Sequence, residues 1–147
     1  GATVNDKVAI FMMTFCAKTD AEARRIAEAA FSHYMDRSME FYLHWGRGGT
    51  LPPGYEWYAA AANSAGAAER VKFDYLFEHG MILCGSPDTI SEQVAKYRSV
   101  GANQMIMGMQ IGRIPHEDVL KSIRLVGDEV IPRFRSSTAP RAVAQIS

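Results

Sequence analysis

Two stretches of the chain, residues 8–16 (VAIFMMTFC) and 104–111 (QMIMGMQI), are dense in apolar side chains with no strict polar alternation. That is the pattern of strands covered on both faces, as in a parallel sheet. A shorter apolar run at 81–83 predicts a third strand, ending in Cys84-Gly85-Ser86-Pro87. Helical periodicity follows each run. After the first, Thr19 to Glu22 makes a capping box, and Ala23, Ile26, Ala30 and Tyr34 share one stripe of a helix that continues through Met39 and Tyr42. After the second, Ser86 is an N-cap with Pro87 at the first helical position, Ile90, Val94 and Tyr97 form the apolar face, and Gly101 supplies the stop. In the last, Pro115, Glu117 and Asp118 open a helix whose stripe is Val119, Ile123, Val126 and Val130, with Pro132 at its end.

Between the first helix and the second strand the pattern breaks. Gly46, Gly48, Gly49, Pro52, Pro53 and Gly54 end regular structure near Trp45, and the Ala-rich, aromatic segment at 55–77 predicts one or two short helices. An insertion of this length, about 45–80, is expected to act as a lid or binding loop. Residues 1–134 read as one unit, and the small, polar tail at 135–147 is expected to fray.

Composition narrows the functional classes. The chain has 16 basic and 16 acidic residues and a formal net charge of zero, so it lacks the positive field that nucleic acids or anionic membranes require of a partner. No apolar run approaches the roughly 18 residues of a membrane span, and nothing resembles a signal peptide; a cytoplasmic location is the default expectation. The two cysteines and the four histidines (His33, His44, His79, His116) show no metal-ligand spacing, and no metal site is expected.

The order of the GSP helix start, the Met-rich strand running to a Gly, the Ile114-Pro115 turn and the closing Glu129-Val130-Ile131-Pro132-Arg133-Phe134 resembles the carboxyl-terminal end of the luciferase-like flavin-dependent monooxygenases. Residues 7–42 also resemble the preceding strand and helix of that family. The resemblance implies a (β/α)8 TIM barrel that uses reduced flavin, FMN or alternatively F420, with O2 on a small organic substrate. A barrel needs roughly 250 residues and eight strands, against 147 residues here. The chain is therefore expected to be a partial barrel: the last two to three βα units, with a long insertion loop. In the family the flavin phosphate is held largely upstream of this segment, which implies that the chain alone binds no flavin and is inactive. The alternative is a non-catalytic partial-barrel protein. Uncovered strand edges predict self-association into a homo-oligomer, or pairing with a missing barrel segment.

Barrel chemistry sits at the carboxyl ends of strands, which nominates Phe15, Cys16, Ala17 and Lys18 after the first strand and Met109, Gln110 and Gly112 after the last. Gln110, polar at a strand's active end, is a candidate for a hydrogen bond to the cofactor. Ser86 is a weaker cofactor candidate, because a helix N-terminus suits phosphate, although Ser86 suffices as a cap without one. Met107 and Met109 are candidates for an apolar substrate pocket with Phe15, His44 and Trp57, while a Met stripe is also ordinary core filler. Gly108 marks a close approach of cofactor or backbone. Tyr55, Trp57 and Tyr58 suit either stacking on a ligand or a loop-anchoring cluster. Cys16 and Cys84 read as buried, inert thiols, and Arg47 as a weak anion contact. No acid, base or nucleophile stands out, so no catalytic residue is assigned.

Overall fold

Three strands, β1 (Ala9–Cys16), β2 (Ile82–Gly85) and β3 (Gln104–Gly108), form a parallel sheet in the order β2-β1-β3. The computed structural model describes residues 7–46 and 50–135, with the backbone alone at 41–46 and 62. β1 is the longest and most apolar of the three, and it takes the centre by offering a different half to each neighbour. Its carboxyl half pairs with β2, from Met13↔Ile82 to Cys16↔Gly85, and its amino half pairs with β3, from Ala9↔Gln104 to Met13↔Gly108.

Alternation along β1 then sends successive side chains to opposite faces, and each face has its own helices. Met13 and Phe15, with Ile82 and Cys84 of β2, pack against Ala23, Ala27, Ala30 and Phe31 of α1 (Asp20–Gly46) and Phe73 and Leu76 of α4 (Phe73–Glu78). Met12, Cys16 and Leu83 pack against Ile90 of α5 (Pro87–Ser99) and Val126 and Val130 of the final helical run. The α/β class and parallel sheet agree with the sequence reading. The barrel arrangement does not appear in this sheet: a barrel sets consecutive strands side by side and all its helices outside, whereas here β1 separates β2 from β3 and helices lie on both faces. Three strands cannot close on themselves, so each apolar face is covered by the chain's own helices instead.

The double cover is incomplete. β3 was expected to be interior, yet Ile106 is 48% exposed, and Phe11, its register partner on β1, is 60% exposed. α1 reaches only the carboxyl half of that face, and β3 is an edge strand. The Phe11 ring lies over Gly108, where a Cβ would stand 2.7 Å from its Cζ, so a larger residue at 108 would push this exposed ring aside. The chain then turns back sharply. At Gly112, φ is +58° and a Cβ would meet the Ala30 carbonyl oxygen at 2.3 Å, so only glycine lets the loop after β3 seat Ile111 and Ile114 in the core beside α1.

The last helix departs from its expected stripe. α6 (His116–Leu125) passes into a π-helical turn (Val126–Val130) and then α7 (Pro132–Arg135), so Pro132 opens a final short helix rather than ending the run. The buried positions are Val119, Ser122, Val126 and Val130, while Ile123, predicted to face inward, is 46% exposed. A polar residue displaces it for a reason found in the sheet. The Ala17 N–H reaches the Gly85 carbonyl of β2, so the Cys16 N–H must point to the other side, where β3 has already ended opposite Met13. Ser122 Oγ accepts that hydrogen bond at 2.7 Å, which satisfies a buried donor that has no strand partner.

The insertion contains three short helices, α2 (Glu56–Ala62), α3 (Ala67–Arg70) and α4, one more than the pattern suggested. Among the described residues, α4 is the helix of the insertion that enters the core, with Phe73 4% and Leu76 2% exposed. Arg24 of α1 fixes it, pairing with Asp74 at 2.5 Å and Glu28 at 3.0 Å while its guanidinium lies 5.1 Å from the centre of the Phe73 ring. Tyr97 of α5 donates its hydroxyl hydrogen bond to the Gly80 carbonyl, tying down the turn into β2. The insertion is thus anchored at its end, whereas α3 buries nothing.

Replacing Ser122 with Ala leaves the Cys16 N–H buried and unpaired, and is expected to lower unfolding stability by about 1–3 kcal/mol. Ile123→Ser, one position along, is expected to change it by no more than about 0.5 kcal/mol. Urea denaturation followed by circular dichroism checks both; equal costs at the two positions would contradict the inward placement of Ser122.

Candidate functional site

The turns that leave the carboxyl ends of β1 and β2 meet, because the register closes at Cys16↔Gly85. β1 is followed by Thr19, whose Oγ1 accepts the Glu22 N–H at 3.2 Å as the cap of α1, and by Asp20 in the first turn. Asp20 turns towards the start of α5, where its Oδ1 accepts the Ser86 N–H at 2.6 Å and the Thr89 hydroxyl at 2.8 Å. Ser86 Oγ in turn accepts the Thr89 N–H at 3.4 Å, and its hydroxyl donates to Thr89 Oγ1 at 3.2 Å. The donors and acceptors close into one network. It exists only because position 85 is glycine: φ there is +152°, and a Cβ would stand 2.7 Å from Thr89 Cγ2 and 2.8 Å from Asp20 Oδ1.

Electrostatically the network is an anion held at a helix N-terminus. The Ser86 N–H first, and the Thr89 hydroxyl second, hold the Asp20 carboxyl below its ordinary value. A carboxylate of the same chain thus takes the Ser86 N–H at the start of α5. Asp20 is the residue that sequence reasoning missed. An acidic residue in a first helical turn is explained by its own helix, and nothing in the spacing shows a partner 66 positions away.

The other predicted site residues lie apart. Phe15 is 1% exposed and belongs to the core on the α1 face, while Met107 and Met109 pack, partly buried, into the core on the α5 face. They stand on opposite sides of the sheet and do not line one pocket; Met105, Met107 and Met109 serve as core filler. Gln110 is exposed, and its Nε2 lies 3.5 Å from the Ile114 carbonyl across its own loop, a contact at the outer limit of a hydrogen bond. Trp57 is 68% exposed and sits edge-on to Tyr58 with ring centres 4.8 Å apart, and Tyr55 stacks on Tyr58 at 5.6 Å, an aromatic cluster internal to the insertion. His44 lies in the last turns of α1, and its side chain, like Arg47, falls outside the described residues.

Cys16 and Cys84 are unpaired and buried. Burial pushes each thiol up to about 12, with the negative charge of Glu129 adding to the effect at Cys16. A thiol so placed carries almost no thiolate at neutral pH and is not a nucleophile. Among the described residues no group of three or more His, Cys, Asp or Glu side chains is placed to hold a metal ion, and no helix is long and apolar enough to cross a membrane.

No family model matches the chain. It is 28% identical over 128 residues to 2,5-diketocamphane 1,2-monooxygenase 2 of Pseudomonas putida, a match that covers 84% of this chain and 33% of that one. Over 53 residues it is 38% identical to 5,10-methylenetetrahydromethanopterin reductase of Methanopyrus kandleri, covering 36% of this chain and 14% of that one. Among solved structures, the oxygenating constituent of 3,6-diketocamphane monooxygenase from Pseudomonas putida, a type II Baeyer-Villiger monooxygenase in complex with FMN, superimposes with a TM-score of 0.58 at 23% identity, over 85% of this chain and 33% of that one. A monooxygenase from Streptomyces bottropensis gives 0.57 at 16% identity, over 90% and 32%. These two likenesses establish the fold. The chain is related to the luciferase-like flavin monooxygenases, and it spans about a third of the length of the monooxygenases it matches.

Two outcomes follow from the network and the thiols. Asp20 titrates lower in the folded chain than in the unfolded one, so its contribution to stability is complete above the unfolded value, near 3.9, and is lost as pH falls through the folded value. Asp20→Asn is expected to flatten the acid limb of a stability–pH curve between about pH 5 and pH 2 and to cost about 1 kcal/mol at pH 7; urea midpoints across that range check it. A thiol reagent at pH 8 is expected to label neither Cys16 nor Cys84 in the folded chain and both after unfolding, as intact mass measures directly.

Proposed function

We propose that this chain is the carboxyl-terminal part of a flavin-dependent monooxygenase, an oxidoreductase that uses reduced flavin and O2 on a small organic substrate. The observation that carries the reading is the match to the diketocamphane monooxygenase along 84% of this chain. The order of motifs from Gly85 to Phe134 agrees with it. FMN is the flavin the comparisons favour, since one structural neighbour is an FMN complex.

On this reading a flavin cradle would draw mainly on residues beyond this segment. The start of α5 is occupied by Asp20, Phe15 and the Met107–Met109 pair are used in two separate cores, and Gln110 stands alone at the surface as the remaining polar candidate. The flavin would supply the oxygen chemistry, and no chemical step is assigned to a side chain of this segment. Its contribution is structural: a stretch of wall, with Gln110 at its rim, in a site whose main part lies on other residues. Isolated, the chain would be inactive.

A second reading is a non-catalytic protein that covers its sheet by self-association. The exposed Phe11 and Ile106 on the β1–β3 face favour it, as do the outer edges of β2 and β3, which pair with no further strand among the described residues.

Isolating the native protein that carries this sequence separates the two. A product of barrel size, roughly 250 residues or more, that binds FMN and consumes O2 with a substrate is the expected result. A native product of 16.3 kDa that forms a stable oligomer and takes up no flavin would establish the second reading. The isolated chain is expected to show no saturable FMN fluorescence change below about 10 µM, an affinity of roughly 7 kcal/mol; tighter binding would move the flavin site into this segment.

A further inference from the structure

We draw no further inference here: the strongest candidate, the open apolar surface of Phe11 and Ile106 where β1 and β3 run side by side, carries none because nothing in the structure shows what covers it.

Discussion

The backbone of β1 has to find hydrogen-bond partners on both of its sides while burying side chains on both of its faces, and the rest of the chain is arranged around that demand. Neither neighbour is long enough to serve the whole strand. β2 supplies its carboxyl half and β3 its amino half. Where β3 gives out, a helix side chain takes over: the Ser122 hydroxyl stands in for the carbonyl of a missing strand residue at Cys16. An unpaired buried N–H would cost about as much as a lost core methylene or more, which is why a serine rather than an isoleucine points into the sheet from α6.

The two faces are covered at different depths, and that difference governs which residues remain free for chemistry. On the α1 face, small residues of the helix (Ala23, Ala27 and Ala30) let it lie close to Met13 and Phe15. On the α5 face, larger side chains, including Met105 and Met107 of β3 and Met109 just after it, fill the space. Polar groups are pushed to the carboxyl rim, where the turns after β1 and β2 are joined through Asp20 and the loop after β3 carries Gln110 to the surface. The candidate site is therefore a rim of turns.

Much of the local structure was legible in sequence. Apolar density located all three strands to within a few residues, and caps located α1 and α5, because capping and burial are decided by residues close in the chain. The stripe of α6 was misread at one position: Ile123 obeys the helical period, and only the sheet's missing partner explains why Ser122 takes the inward place. The strand order was illegible for a related reason. A sequence shows which segments pair well but not which half of β1 each will occupy. Asp20 was invisible because its partners, Ser86 and Thr89, lie far along the chain, and the meeting depends on Gly85 having no side chain. The family resemblance, by contrast, was readable from the order of short motifs near the carboxyl end, and the similarity to the diketocamphane monooxygenase agrees with it.

Asp20 also changes what the start of α5 can offer to any ligand. An anion tethered to the same fold competes at an effective concentration of millimolar or more, so an anion arriving from solution would have to displace Asp20 to reach the Ser86 N–H. The start of α5 is in this sense already engaged at its cap residue, where one carboxylate ties the beginning of α5 to the beginning of α1.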